Sequence, residues 1–102
     1  MQYRVYKNKN ASKFYPLLLD VQSDIIESID SRIVIPLTPI ELYQGKVVQR
    51  LNPTLHVEGN DYLMMTHELA GVQLTVLGTE VCSLASQRET IRTALDFIID
   101  GF

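Results

Sequence analysis

The chain is poor in the residues that staple a fold or carry it through a membrane. It has a single cysteine, Cys82, among its 102 residues. A disulfide framework needs an even set, so a cross-linked secreted scaffold is excluded, and a lone thiol fits a reducing cytoplasm. No apolar run approaches the roughly 18 residues that cross a bilayer. Runs such as Leu17-Leu18-Leu19 and Ile33-Val34-Ile35 stop after three residues, the latter at Pro36. The opening segment Met1-Gln2-Tyr3-Arg4-Val5-Tyr6 alternates polar and apolar residues and lacks the apolar core of a signal peptide. A cytoplasmic protein without a membrane segment is expected. Tandem repeats and low-complexity tracts are also missing.

Most enzyme signatures are missing too. There is no Gly-rich phosphate loop and no His-Glu-x-x-His. His56 and His67 fall on different predicted segments, and neither has metal-ligand spacing with Cys82. Both are read as structural histidines, and no metal or cofactor is expected. Cys82 would act as a nucleophile only with a histidine folded beside it and a lowered pKa; a buried apolar cysteine is the commoner state.

What is present describes one globular domain, residues 1–102. Apolar residues make up 46% and charged residues 21%, both ordinary for a packed domain and unlike disorder. Nine bases against twelve acids leave a formal charge of −3, which gives direct nucleic-acid binding no electrostatic help. The charge comes in blocks. Arg4, Lys7, Lys9 and Lys13 are followed by Asp20, Asp24, Glu27 and Asp30. Such blocks steer charged partners or simply form solvated faces.

Periodicity predicts strands first and a helix last. Residues 2–7 alternate as a half-buried strand. Leu17 to Ile26 reads as a second strand and 32–37 as a third, with Pro36 placing it at an edge or a strand end. Residues 38–53 look irregular, with room for a small hairpin. Leu55–Val57 and Tyr62–Thr66 flank a turn at Glu58-Gly59-Asn60-Asp61, and Val72–Leu77 alternates up to Gly78. Ser86 and Glu89 match a capping box. Ile91, Ala94, Leu95 and Ile98 then share a helical face, and Gly101 suits the left-handed position beyond the last turn. Five or so strands without crossover helices imply an antiparallel sheet or small barrel with one C-terminal helix.

Two groups of residues stand out. Asp20, Asp24 and Glu27 are candidates for acid–base work, with Arg32 able to pair with one of them; a small ribonuclease could use such a set, and a surface ion pair is the plainer reading. The second group fits partner binding. Ile25-Ile26 would point to opposite faces of a strand, so one of them should meet a loop, a subunit or a partner. Phe97 lies off the helical core stripe, and Phe102 puts an aromatic where chain ends are usually polar.

Several segments resemble the CcdB family of bacterial toxins. They are Met1–Tyr6, then Leu19-Asp20-Val21-Gln22-Ser23-Asp24-Ile25-Ile26, then Arg32–Leu37. Further on come His56-Val57, Met64-Met65-Thr66, Val76-Leu77-Gly78 and the closing helix with Gly101. The resemblance covers essentially the whole chain, and Asp20–Ile26 is its most specific part. It implies an SH3-like antiparallel barrel assembled as a homodimer. It implies a toxin that catalyses nothing, binds the DNA gyrase A subunit and traps the enzyme on cleaved DNA. It also implies neutralisation by a CcdA-type antitoxin, with operator DNA bound only together with that antitoxin. The family's gyrase-binding positions match Ile25, Ile26, Asp96, Ile99, Asp100, Gly101 and Phe102. No antitoxin-binding residue is carried over. Asp100 stands where the family usually has tryptophan. The alternatives are an endoribonuclease toxin of the related Kid and MazF type, and a homologue with weakened gyrase binding.

Overall fold

The computed structural model describes residues 1–10, 12–25 and 30–101, and seven strands lie within them. They are β1 Arg4–Asn8, β2 Leu17–Asp20, β3 Ser31–Pro39, β4 Thr54–Val57, β5 Asn60–Met64, β6 Ala70–Gln73 and β7 Leu77–Ser83. One helix follows, α1 Arg88–Asp100. Every strand pairing is antiparallel, in the order β4-β5-β3-β2-β1-β7, with β6 also paired to β3. The mainly β architecture with a terminal helix is as the periodicity predicts.

β3 organises the sheet. One edge pairs with β2 from Asp20↔Val34 to Leu17↔Leu37. The other edge is shared, β6 taking Ser31–Val34 and β5 taking Leu37–Pro39. Two strands diverging from one edge curl the sheet into a half-barrel. Its two path ends approach each other through Gln87, just beyond β7. The Gln87 carboxamide accepts the His56 N–H on β4 at 3.0 Å and donates to the His56 carbonyl at 2.9 Å. It thus occupies edge groups that another strand would otherwise pair.

Several boundaries differ from expectation, each for a local reason. Pro36 is interior to the central strand, not at an edge. Its carbonyl accepts the Met65 N–H at 3.0 Å, so its nitrogen also faces the β5–β6 side, away from β2. The Met65 carbonyl that an N–H at position 36 would have used instead accepts the Glu68 N–H at 2.9 Å. The missing donor therefore leaves no orphan. β2 ends at Asp20 instead of running to Ile26, because the Asp20 carboxylate accepts the Gln22 N–H at 3.1 Å and turns the chain. Residues 38–53 form a 3-10 turn at Ile40–Leu42 and a turn near residue 50, with no hairpin. The Val72–Leu77 run is divided between β6, a 3-10 turn at Leu74–Val76 and β7. β7 continues through Gly78, where a Cβ would lie 2.9 Å from the Lys7 carbonyl oxygen in a bulged part of the β1 pairing. The β4–β5 connection is the two-residue turn Glu58–Gly59, both with positive φ, a twist that suits hairpin strands.

The core gathers Val5, Leu17, Leu19, Ile35, Leu37, Leu55, Val57, Met64, Leu84, Ile91 and Ala94. Burying each large side chain contributes about 1.5–3 kcal/mol. α1 enters this core through Ile91 and Ala94, with Leu95 packed beside them. The capping box does not form. Ser86 sits within a 3-10 turn, Ala85–Gln87, and Gln87 at the helix start spends its amide on β4. Ile98, predicted as core, is 40% exposed: the stripe leaves the sheet after Leu95. Gly101 has φ 80° and donates to the Phe97 carbonyl at 2.9 Å, the expected left-handed stop.

Candidate functional site

Asp20 and Arg32 do pair, but not on a solvated face. The Asp20 side chain has no exposure and that of Arg32 has 8%. Strand β3 points Arg32 back across β2, where Nε meets Asp20 Oδ2 at 2.8 Å and Nη2 meets Oδ1 at 3.1 Å. The same Nη2 donates to the Gln22 carbonyl at 3.1 Å and to Asp24 Oδ1 at 3.4 Å. Asp20 Oδ2 also accepts the Met1 α-amine at 3.2 Å. Hydrogen bonding to Asp20 raises the Arg32 pKa against the opposing effect of burial. A two-point bond of this kind is strong and directional. Both Asp20 oxygens are committed, so the residue has no free face with which to move a substrate proton. Glu27, the third member of this sequence cluster, lies outside the described residues.

The other chemically able side chains are dispersed. His56 pairs with Asp61 across the β4–β5 hairpin at 2.6 Å, where both are exposed. His67 lies beside Asn52, 3.4 Å from its amide. Cys82 is half-buried against the core, and burial, followed by Glu58 and Glu80, pushes its thiol pKa up. That is the opposite of an activated nucleophile. Burial first, then Glu80 and Asp20, likewise raises the pKa of Tyr6. Among the described residues, no group of three or more His, Cys, Asp or Glu could hold a metal ion. No helix of the described residues is long and apolar enough to cross a membrane.

The exposed apolar residues are more informative. Ile25 is 91% exposed in the turn that follows β2. Its own N–H donates to Ser23 Oγ at 3.3 Å, while the preceding Asp24 accepts the Gln2 N–H at 3.0 Å. The expectation that a strand would split Ile25 from its neighbour does not apply, since the strand has already ended. At the other segment, α1 runs past its core contacts. Asp96, Ile98, Ile99, Asp100 and Gly101 are exposed, Ile99 by 75%. The two carboxylates sit at the helix C-terminus, where the helix dipole disfavours negative charge. The bonds of the two segments run to separate partners, Ile25 to its own turn and Gly101 back to Phe97. Ile26 and Phe102, the remaining predicted site residues, lie outside the described residues.

One contact at the helix end was not anticipated from the sequence. The Arg50 guanidinium lies 4.5 Å from the centroid of the Phe97 ring. Phe97's departure from the core stripe was the available signal, but nothing in the local pattern names the residue that would cover it. Arg50 also borders a cleft of about 430 Å³ between Gln49, Pro53 and the first turns of α1. With this geometry in view, comparison with known families is direct: the family model described as CcdB protein matches residues 2–101.

Proposed function

The chain belongs to the CcdB family, and we propose that it is the toxin of a toxin–antitoxin pair that poisons DNA gyrase through the gyrase A subunit. The observation that carries this reading is the exposed end of α1. Ile99 is left in water between Asp96 and Asp100, on a helix whose own apolar stripe has already ended. Removing such a side chain from water on binding is worth about 1.5–3 kcal/mol. The flanking carboxylates favour orientation and encounter with a cationic partner surface more than raw affinity. The proposed contact set is Ile25, Ile26, Asp96, Ile99, Asp100, Gly101 and Phe102. With Asp100 where the family usually carries tryptophan, the aromatic anchor typical of interfaces is absent from that position, which weakens gyrase engagement unless Phe102 serves as the anchor instead.

The half-barrel is read as the family's SH3-like barrel, and two chains as a homodimer. A twofold axis near the helix would present two copies of the helix end on one surface. A CcdA-type antitoxin would neutralise the toxin and bind operator DNA jointly with it. The net charge of −3 suits a cytoplasmic protein that reaches DNA through gyrase. The buried pairing of Asp20 with Arg32 counts against the ribonuclease alternative, which would need those two side chains free for substrate.

The test is a cleavage-complex assay with purified gyrase and supercoiled plasmid. Wild-type protein should increase protein-linked linear DNA, and Ile99→Ala should suppress that increase. Cleavage of RNA without trapped gyrase would transfer the reading to a ribonuclease toxin. Neither effect, together with tight binding of an antitoxin, would indicate a homologue that has lost gyrase.

A further inference from the structure

The end of α1 with its cap, from Asp96 to Gly101, carries four of the seven proposed gyrase contacts, yet it lies beyond the part of the helix that the core holds. Ile91 and Ala94 are buried and Leu95 packs beside them; after that, Asp96, Ile98, Ile99 and Asp100 face water and Phe97 is the half-buried exception. Phe97 also supplies the carbonyl that Gly101 uses to end the helix. Whatever fixes Phe97 therefore fixes the direction in which Ile99, Asp100 and Gly101 point.

Arg50 is built to do this. Its guanidinium sits over the Phe97 ring at 4.5 Å, within range of a cation–π attraction. The turn that carries it is a firm mount. Leu51 and Asn52 both donate to the Val48 carbonyl, at 2.8 and 2.6 Å. Asn52, only 3% exposed, accepts the Val48 N–H through its side chain at 3.3 Å and donates to the Met64 carbonyl at 3.2 Å, tying the turn to the end of β5. The buried Thr66 hydroxyl donates to the Leu51 carbonyl. The turn is thus anchored on both sides of Arg50.

We propose that Arg50 is a positioning residue for the gyrase-binding surface: seated on this anchored turn, it clamps Phe97 and so aligns the last turn of α1. The proposal rests on the gyrase reading for its function, but the clamp has a readout of its own. The experiment is a double-mutant cycle in the full chain, comparing wild type with Arg50→Ala, Phe97→Leu and the double variant, plus Arg50→Lys. Two quantities are measured: affinity for purified gyrase A subunit, and amide hydrogen exchange at residues 97–101.

Arg50→Ala should weaken gyrase binding about two- to fivefold, the range of an exposed cation–π contact, and speed exchange at 97–101 while leaving that of Ile91 and Ala94 unchanged. Arg50→Lys, which keeps the cation, should recover most of both losses. In the Phe97→Leu background, Arg50→Ala should have no further effect, because the ring through which it acts is gone. Equal effects of Arg50→Ala in both backgrounds, or unchanged exchange at the helix end, would overturn the clamp. A wild-type protein that did not bind the gyrase A subunit would overturn the partner instead, leaving the exchange cycle to judge the clamp.

Discussion

Two acidic regions of this protein meet opposite fates. At the root of the β2–β3 connection, Asp20 is buried and bonded by Arg32, by the Met1 amine and by a backbone N–H. At the end of α1, Asp96 and Asp100 stand in water beside an exposed isoleucine. The first region has the residue types of a catalytic centre and serves the fold. The second has no chemistry of its own and is the better candidate for function. Where a carboxylate's oxygens point, and what already occupies them, decides the matter more than residue type does.

The sharpest way to break the contrast is Asp20→Asn. It strips the main partner from a buried pair and leaves Arg32 with only its longer contact to the exposed Asp24 carboxylate, which should cost about 3–5 kcal/mol of unfolding free energy in urea melts. A loss below 1 kcal/mol would mean that the cluster is not the structural element described here. Next comes a pair of isoleucines on the same helix. Ile91→Ala should lose about 2–5 kcal/mol by opening a core cavity. Ile99→Ala should stay within about 0.5 kcal/mol of wild type, as surface changes do, while losing gyrase binding. Equal stability losses at the two positions would erase the distinction between core and contact surface.

Smaller effects sharpen the picture. Asp100→Asn should raise stability by about 0.3–1 kcal/mol, because it removes a negative charge from the negative end of the helix dipole. Thermal melts would read this, and a drop in stability would show that Asp100 has a partner within the fold. The smallest effect concerns Cys82, whose thiol pKa is raised above its ordinary value of 9.0. The folded state therefore holds this proton more tightly than the unfolded state. Its contribution is fully present below the ordinary thiol value and is lost as pH rises from there through the folded value. Cys82→Ala should flatten part of the alkaline decline in urea midpoints, and an unchanged decline would count against the raised thiol.

Much of the fold was legible because its signals are local. The alternating part of 2–7 that forms β1 from Arg4 on, the Glu58–Gly59 turn within the longer Glu58–Asp61 signal, the apolar spacing of Ile91, Ala94 and Leu95, and the stop at Gly101 each depend on neighbours within a few residues. What failed depended on partners far along the chain. Ser86 and Glu89 have the right spacing for a capping box, yet the helix begins two residues after Ser86, with Gln87 at its start bonded to His56 on another strand. Pro36 reads as an edge residue, yet its missing N–H falls at a place where Glu68 has taken the spare carbonyl. For the site, the sequence marks Ile25-Ile26 through strand alternation without saying which of them faces out, and the exposure of Ile25 comes instead from the turn at Asp20.

By itself, then, the order of residues determined the balance of strands to helix, the place where the helix ends and the family to which the chain belongs. These follow from short-range backbone preferences and from the spacing of apolar side chains. Only the tertiary structure decided which carboxylates are spent within the fold, which isoleucines are left in water, and that Arg50 lies over Phe97. The physical reason is the same in each case. Burial and electrostatic pairing depend on groups brought close by the curled sheet, and that proximity is a property of the whole chain, not of any segment of it.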